Sequence, residues 1–316
     1  MDRGEFVYYA PVFFSTFYAM FAMVIILFKG KLIADIKNEI TMWTMDSAGQ
    51  IIHSRIKIES IVITAFVGVN FMISIYTVYL FVTPIFADKE LFFALRFFEE
   101  YFPEQKSFLS WTYRGAYSFI IYVMTVHAYQ VIYYTQHIKF QIMMFLMYAS
   151  RISDFDEKRN EKELFYDQEY QRQVQRRLKF CIVRYNDFVV AFSEKQKEIG
   201  YLIAGFALCG CLLGLSIVLY MFSKKFYPEY YLRMGTSSPT AVASFGALIF
   251  CGQSLESQND FVLSAANEVS WYNFSKNNKT IFKIFLLNIM KPRVLRFTEN
   301  YSMNYKLGLT GTYTNE

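Results

Sequence analysis

The chain has 316 residues, of which 54% are apolar and 20% aromatic against 19% charged, more hydrophobic side chain than a soluble domain of this size can hide. A soluble enzyme is excluded on that ground. The net charge of +5 is modest and gathers in particular segments, so it calls for no nucleic-acid partner.

The apolar residues gather into blocks of roughly 20, the length a helix needs to cross about 30 Å of hydrocarbon. Five spans are expected: Pro11 to Phe28, Ile58 to Val82, about Thr112 to Tyr134, Ile199 to Phe222 and about Thr240 to Leu255. The first lacks the basic start and small-residue exit of a signal peptide and reads as retained. Lys and Arg resist translocation, so their distribution sets the orientation. With the N-terminus outside, segments 29–57, 135–198 and 256–316 hold 24 basic residues and segments 1–10, 83–111 and 223–239 hold 7. Arg114 is left just inside the mouth of the third span.

This predicts an all-α, polytopic transmembrane helix bundle over residues 1–255, with a cytosolic helical insertion at 135–198. A cytosolic anchor helix and C-terminal segment follow over 256–316. The run HIKFQIMMFLMYASRI has no Pro or Gly and is expected to carry the third helix well past the membrane. After a charged break, Val174, Leu178, Ile182, Tyr185, Val189 and Phe192 recur every three or four residues. They form one apolar stripe with charges on the other face, so the stripe must dock on neighbouring helices or another subunit. Beyond Leu255, IFKIFLLNIM is too short to span and reads as part of a cytosolic or interfacial helix ended by Pro292.

The residues offer little chemistry. His53, His127 and His137 form no HExxH pair and no metal spacing, and no Walker loop, GxSxG elbow or dinucleotide turn occurs. No catalytic residue, metal or cofactor is therefore expected. Cys181, Cys209, Cys211 and Cys251 fall in cytosol or membrane and are expected to be reduced. The sequons at Asn273, Asn278 and Asn300 fall in predicted cytosol and are expected to stay unmodified. Asn70, Gln130, Gln253 and Ser254 are expected to face other helices, because unpaired amides in lipid are costly. Gly210 and Gly214 form a GxxxG that permits close helix approach. The outer ends of the spans are rich in aromatics: Phe13, Phe14, Phe17, Tyr18, Tyr76, Tyr79, Tyr113 and Tyr117. Two readings stay open, an interfacial belt with packing, or a pocket for a small apolar ligand.

The stretch from Cys251 to Pro292, with G-Q-S-L at Gly252 to Leu255 and A-x-x-x-x-W-Y at Ala266 to Tyr272, resembles the penultimate and cytosolic helices of insect odorant receptors. The ordered likeness extends over about residues 5–305. The resemblance implies a variable odorant-binding subunit of a tetrameric, ligand-gated, non-selective cation channel completed by a shared co-receptor, in the plasma membrane of olfactory sensory neurons. It places Pro11 to Phe28 at the family's second helix, so the chain lacks the first span. Nothing after Pro292 matches the pore-lining last span, and the chain alone is expected to conduct no ions. The aromatic cluster falls on the family's ligand region, where a small volatile apolar ligand would bind. Val174, Leu178, Ile182, Tyr185, Gln253 and Trp271 fall on its subunit-contact region. A gustatory receptor is the near alternative and a small-solute transporter the distant one; the co-receptor itself has a longer second cytosolic loop.

Overall fold

The computed structural model describes residues 3–29, 43, 49–85, 88, 92–154, 163–222, 230–291 and 305–306. Among the described residues every regular element is helical: α1 (Arg3–Lys29), α2 (Gly49–Val82), α3 (Phe93–Tyr101), α4 (Lys106–Ser150), α5 (Gln168–Met221), α6 (Tyr230–Asn267), a 3₁₀ turn (Trp271–Asn273) and α7 (Lys276–Ile289).

Four helices are long and apolar enough to cross a membrane: Phe6–Val24 within α1, then α2, α4 and α6. The fourth expected span, Ile199 to Phe222, lies in α5, whose Ala207–Met221 stretch is apolar but shorter. Three helices run far beyond membrane length, as the absence of breakers predicts for the third span. α4 has 45 residues and extends about 68 Å at 1.5 Å per residue. α5 has 54 residues, so the charged stripe and the apolar segment after it, read from sequence as separate elements, are one helix through Gly200. A glycine inside a helix costs only about 1 kcal/mol, which neighbouring turns readily offset. Helices α1 and α6 likewise continue through Pro11 and Pro239. Gly49 begins α2 at φ +68°, a conformation that Cβ-bearing residues resist.

The segment 83–111, expected as an external loop, contains α3, whose Leu95 is buried. At the other end Ser275 caps α7, its hydroxyl accepting from the Asn278 amide.

The chain divides into two compact units, which cut across the helices instead of following them. The first comprises residues 1–30, 61–131 and 201–248 and the second residues 31–60, 132–200 and 249–316. The first unit centres on Phe92, Leu95, Tyr117, Tyr220, Tyr230 and Met234. Its α2 turns a polar ridge inward, with Asn70, Ser74 and Thr77 all buried, and Asn70 Nδ2 donates to Ser244 Oγ of α6 at 2.8 Å. This is the helix-facing placement expected for an amide in a span.

The second unit buries the stripe of α5, with a shift in phase. The fully buried series is Val174, Leu178, Cys181, Tyr185 and Phe188, while Ile182 and Val189 are only half-buried. The side chain of Phe192 lies outside the described residues. Phe145 of α4 packs on Tyr185 and Phe188 at ring separations of 6.0 and 5.9 Å, and Phe285 of α7 meets Tyr185 at 6.3 Å. The partner that the stripe requires is thus the chain itself. Arg184, on the same helix, stacks over Trp43 and Phe188 and donates to Gln141 Oε1, whose amide also bridges the Trp43 backbone. Burial lowers the pKa of this guanidinium.

Candidate functional site

The eight aromatic positions do not converge. Tyr117 is buried and Tyr113 half-buried, their hydroxyls 3.3 Å apart, and Tyr117 stacks on Phe81 with centroids 5.5 Å apart. Phe14 and Tyr18 are half-buried. Phe13, Phe17, Tyr76 and Tyr79 are exposed and line no interior of this chain. Helical phase explains the split. On α2 the inward ridge is 70, 74, 77 and 81, and Tyr76 and Tyr79 lie off it; on α1 the alanines at 19 and 22 face in while Phe13, Phe17 and Met20 face out. Of the eight, Tyr113 and Tyr117 join the aromatic core, Phe14 and Tyr18 are half-buried, and the other four face out.

Against this core sits a group of charges that sequence reading missed. Asp88 is 2% exposed and accepts hydrogen bonds from two guanidiniums: Arg114 Nη2 on Oδ2 and Arg233 Nη1 on Oδ1, each at 2.6 Å. The Ile85 amide donates to Asp88 Oδ2 at 2.8 Å, and Arg233 Nη2 donates to the Thr83 carbonyl at 2.6 Å. Around Arg233 stand the rings of Phe81, Tyr230 and Phe92, 5.5, 5.7 and 5.9 Å from its guanidinium carbon. Charge-assisted bonds and ring faces offset much of the cost of removing these ions from water. The compensation is incomplete, since Arg114 Nη1 and Arg233 Nε are buried with no hydrogen-bond partner. Among the described residues two cations share one anion.

In the second unit the expected subunit contacts divide. Val174, Leu178 and Tyr185 are buried within the chain, which leaves those side chains no surface for another subunit; this corrects their assignment. Ile182 is half-buried, as is Gln253, whose Oε1 accepts from the Tyr305 amide. Trp271 is exposed, with Lys279 Nζ 5.8 Å from its ring. Tyr272 in the same turn is also exposed, as are Ile284 and Leu287 on α7 and Met290 at its end.

Asn278 is 2% exposed and its Nδ2 donates to Gln171 O and Oε1, both at 2.8 Å, while the Ser275 amide donates to the same Oε1. The nitrogen that a glycan would occupy is thus committed to the fold. Asn300 lies outside the described residues. All four cysteines are free thiols, and among the described residues no three His, Cys, Asp or Glu side chains group so as to hold a metal ion. No protein-family model matches the chain, and no curated protein matches it.

Proposed function

We propose that the chain is a variable, ligand-binding subunit of an insect odorant receptor, a cation channel gated by volatile ligands and completed by a co-receptor subunit in the plasma membrane of olfactory neurons. The observation that carries the reading is the ordered run from Cys251 to Pro292, with G-Q-S-L and A-x-x-x-x-W-Y at the family's spacing. The helical architecture supports it. In α4 and α6 an apolar stretch of membrane length continues into a charged helical segment, and α5 joins a charged segment to a shorter apolar one, as a receptor with a large cytosolic anchor requires. The distribution of Lys and Arg favours an external N-terminus, which puts the second unit's segments in the cytosol.

In this reading the ligand meets the aromatic core around Tyr113 and Tyr117, and the exposed side chains of Trp271, Ile284 and Leu287 meet a neighbouring subunit. The test is assembly. Co-expressed with an odorant co-receptor and captured through a tag on this chain, the two are expected to purify as one particle, and the double substitution I284D with L287D is expected to release the co-receptor. A membrane-inserted chain that never co-purifies with it overturns the reading.

A further inference from the structure

We infer that the Asp88–Arg114–Arg233 cluster is an anion-binding site, built to take one small monovalent anion, either a free ion or the carboxylate of a ligand. The inference stands on the cluster alone and does not depend on the receptor reading.

The first argument is charge. Among the described residues two guanidiniums face one carboxylate, and the three side chains are 8%, 0% and 2% exposed for Arg114, Arg233 and Asp88. A buried ion pair breaks even only when it is matched, and one surplus charge out of water is strongly unfavourable. Ring faces reduce that penalty without cancelling a whole charge. The second argument is hydrogen bonding. Buried N–H groups are almost always satisfied, yet one on each guanidinium, Arg114 Nη1 and Arg233 Nε, has no acceptor. Both belong to cations already held against the same carboxylate, so an added anion would supply the missing charge together with missing acceptors.

The surroundings set its size and kind. Backbone already fills the acceptor place at Thr83 O, and the flanking groups are the rings of Phe81, Phe92, Tyr117 and Tyr230. Beyond the unpartnered N–H groups of Arg114 and Arg233, the described surroundings are largely aromatic. A monovalent anion fits that environment, and a ligand carboxylate with an apolar body gains ring contacts that a bare ion lacks.

The test follows thermal unfolding of the purified full chain in detergent, in HEPES without added salt, on titration with sodium chloride, sodium benzoate or methyl benzoate. Chloride and benzoate are expected to stabilise saturably, the unfolding equilibrium shifting about 100-fold when the anion reaches a hundred times its dissociation constant. Methyl benzoate, which keeps the ring and loses the charge, is expected to do nothing. Benzoate acting at tenfold lower concentration than chloride identifies a ligand carboxylate, and equal potency a free ion. Arg114→Gln leaves a matched Asp88–Arg233 pair, so this variant is expected to fold and to bind either anion about tenfold to a hundredfold more weakly. The wild-type titrations decide the matter even if the variant does not fold. Equal responses to benzoate and its methyl ester overturn the proposal, as does the absence of any anion response, which would follow if a carboxylate of the chain itself filled the place.

Discussion

The two halves of α5 obey opposite rules. Over 168–190 the helix buries Val174, Leu178, Cys181, Tyr185 and Phe188 and turns Arg172, Arg176, Lys179 and Asp187 outward, the arrangement water imposes. Over 207–221 it buries Cys209, Ser216 and Tyr220 and exposes Leu208, Leu215, Val218 and Leu219. In the first half apolar burial drives packing; in the second, exposed leucines would gain nothing in lipid by turning inward, and small and polar groups stand at the helix contacts. The first unit shows the second pattern at its helix contacts: it buries three charges, Asp88, Arg114 and Arg233, and a ridge of Asn70, Ser74 and Thr77 along α2, while Arg96, Glu100, Glu104 and Lys106 stay exposed.

The sharpest way to break this contrast is to remove the buried carboxylate of Asp88. Asp88→Asn leaves two desolvated guanidiniums without a counter-charge and is expected to cost about 3–5 kcal/mol, seen as loss of monodisperse protein in fluorescence-detected size exclusion. Survival of the variant at wild-type stability would mean that the interior of the first unit is wetter than its burial implies.

Next comes a matched pair of truncations on the one helix. Leu178→Ala empties a fully buried position and is expected to cost about 2–5 kcal/mol. Leu215→Ala trims a side chain that is 58% exposed and is expected to cost below about 0.5 kcal/mol in detergent. Equal losses in a thermal-shift comparison would erase the distinction between the halves. A smaller effect is expected at Asn278→Ala, which removes the two hydrogen bonds that its buried amide donates to Gln171, at about 1–3 kcal/mol. Glycosidase digestion of wild-type chain from eukaryotic cells should leave the mass contributed at Asn278 unchanged.

The same contrast explains what could be read in advance. Spans are legible by length, and the α5 stripe by period, because water forces apolar residues onto one face. Its phase was misread at 182 and 189 because the buried series steps 4, 3, 4, 3 through Cys181 and Phe188, and the neighbouring Ile182 and Val189 are as apolar. In the first unit both faces are apolar and the period carries no information, which is why the sequence leaves belt and pocket open for Tyr76 and Tyr79, and both face out. Gly210 and Gly214, the GxxxG pair, have open space about them, whereas at Gly205 a Cβ would lie 2.2 Å from the Phe21 ring. The ion cluster was hidden because Arg233 is 145 residues from Asp88 in sequence and nothing local sets their register. The one available signal was Arg114, a charge inside the mouth of a span, which demands a partner.

Cys181 offers the finest test, since it belongs to the half of α5 where burial is apolar. It is 1% exposed, and burial pushes its thiol from 9.0 up to about 12. Below pH 9 the thiol is protonated in both the folded and the unfolded chain, and its contribution to stability is constant. Between pH 9 and 12 the unfolded chain releases a proton that the folded chain keeps, so stability falls as pH rises, by up to about 1.4 kcal/mol per pH unit. Cys181→Ala removes that slope while adding a pH-independent cavity cost. The wild-type and variant stabilities are therefore expected to differ by a fixed amount up to pH 9 and to draw together above it, because every other titrating group is common to both. Curves that stay parallel to pH 11 would mean that the thiol ionises in place, and that this face of α5 admits water after all.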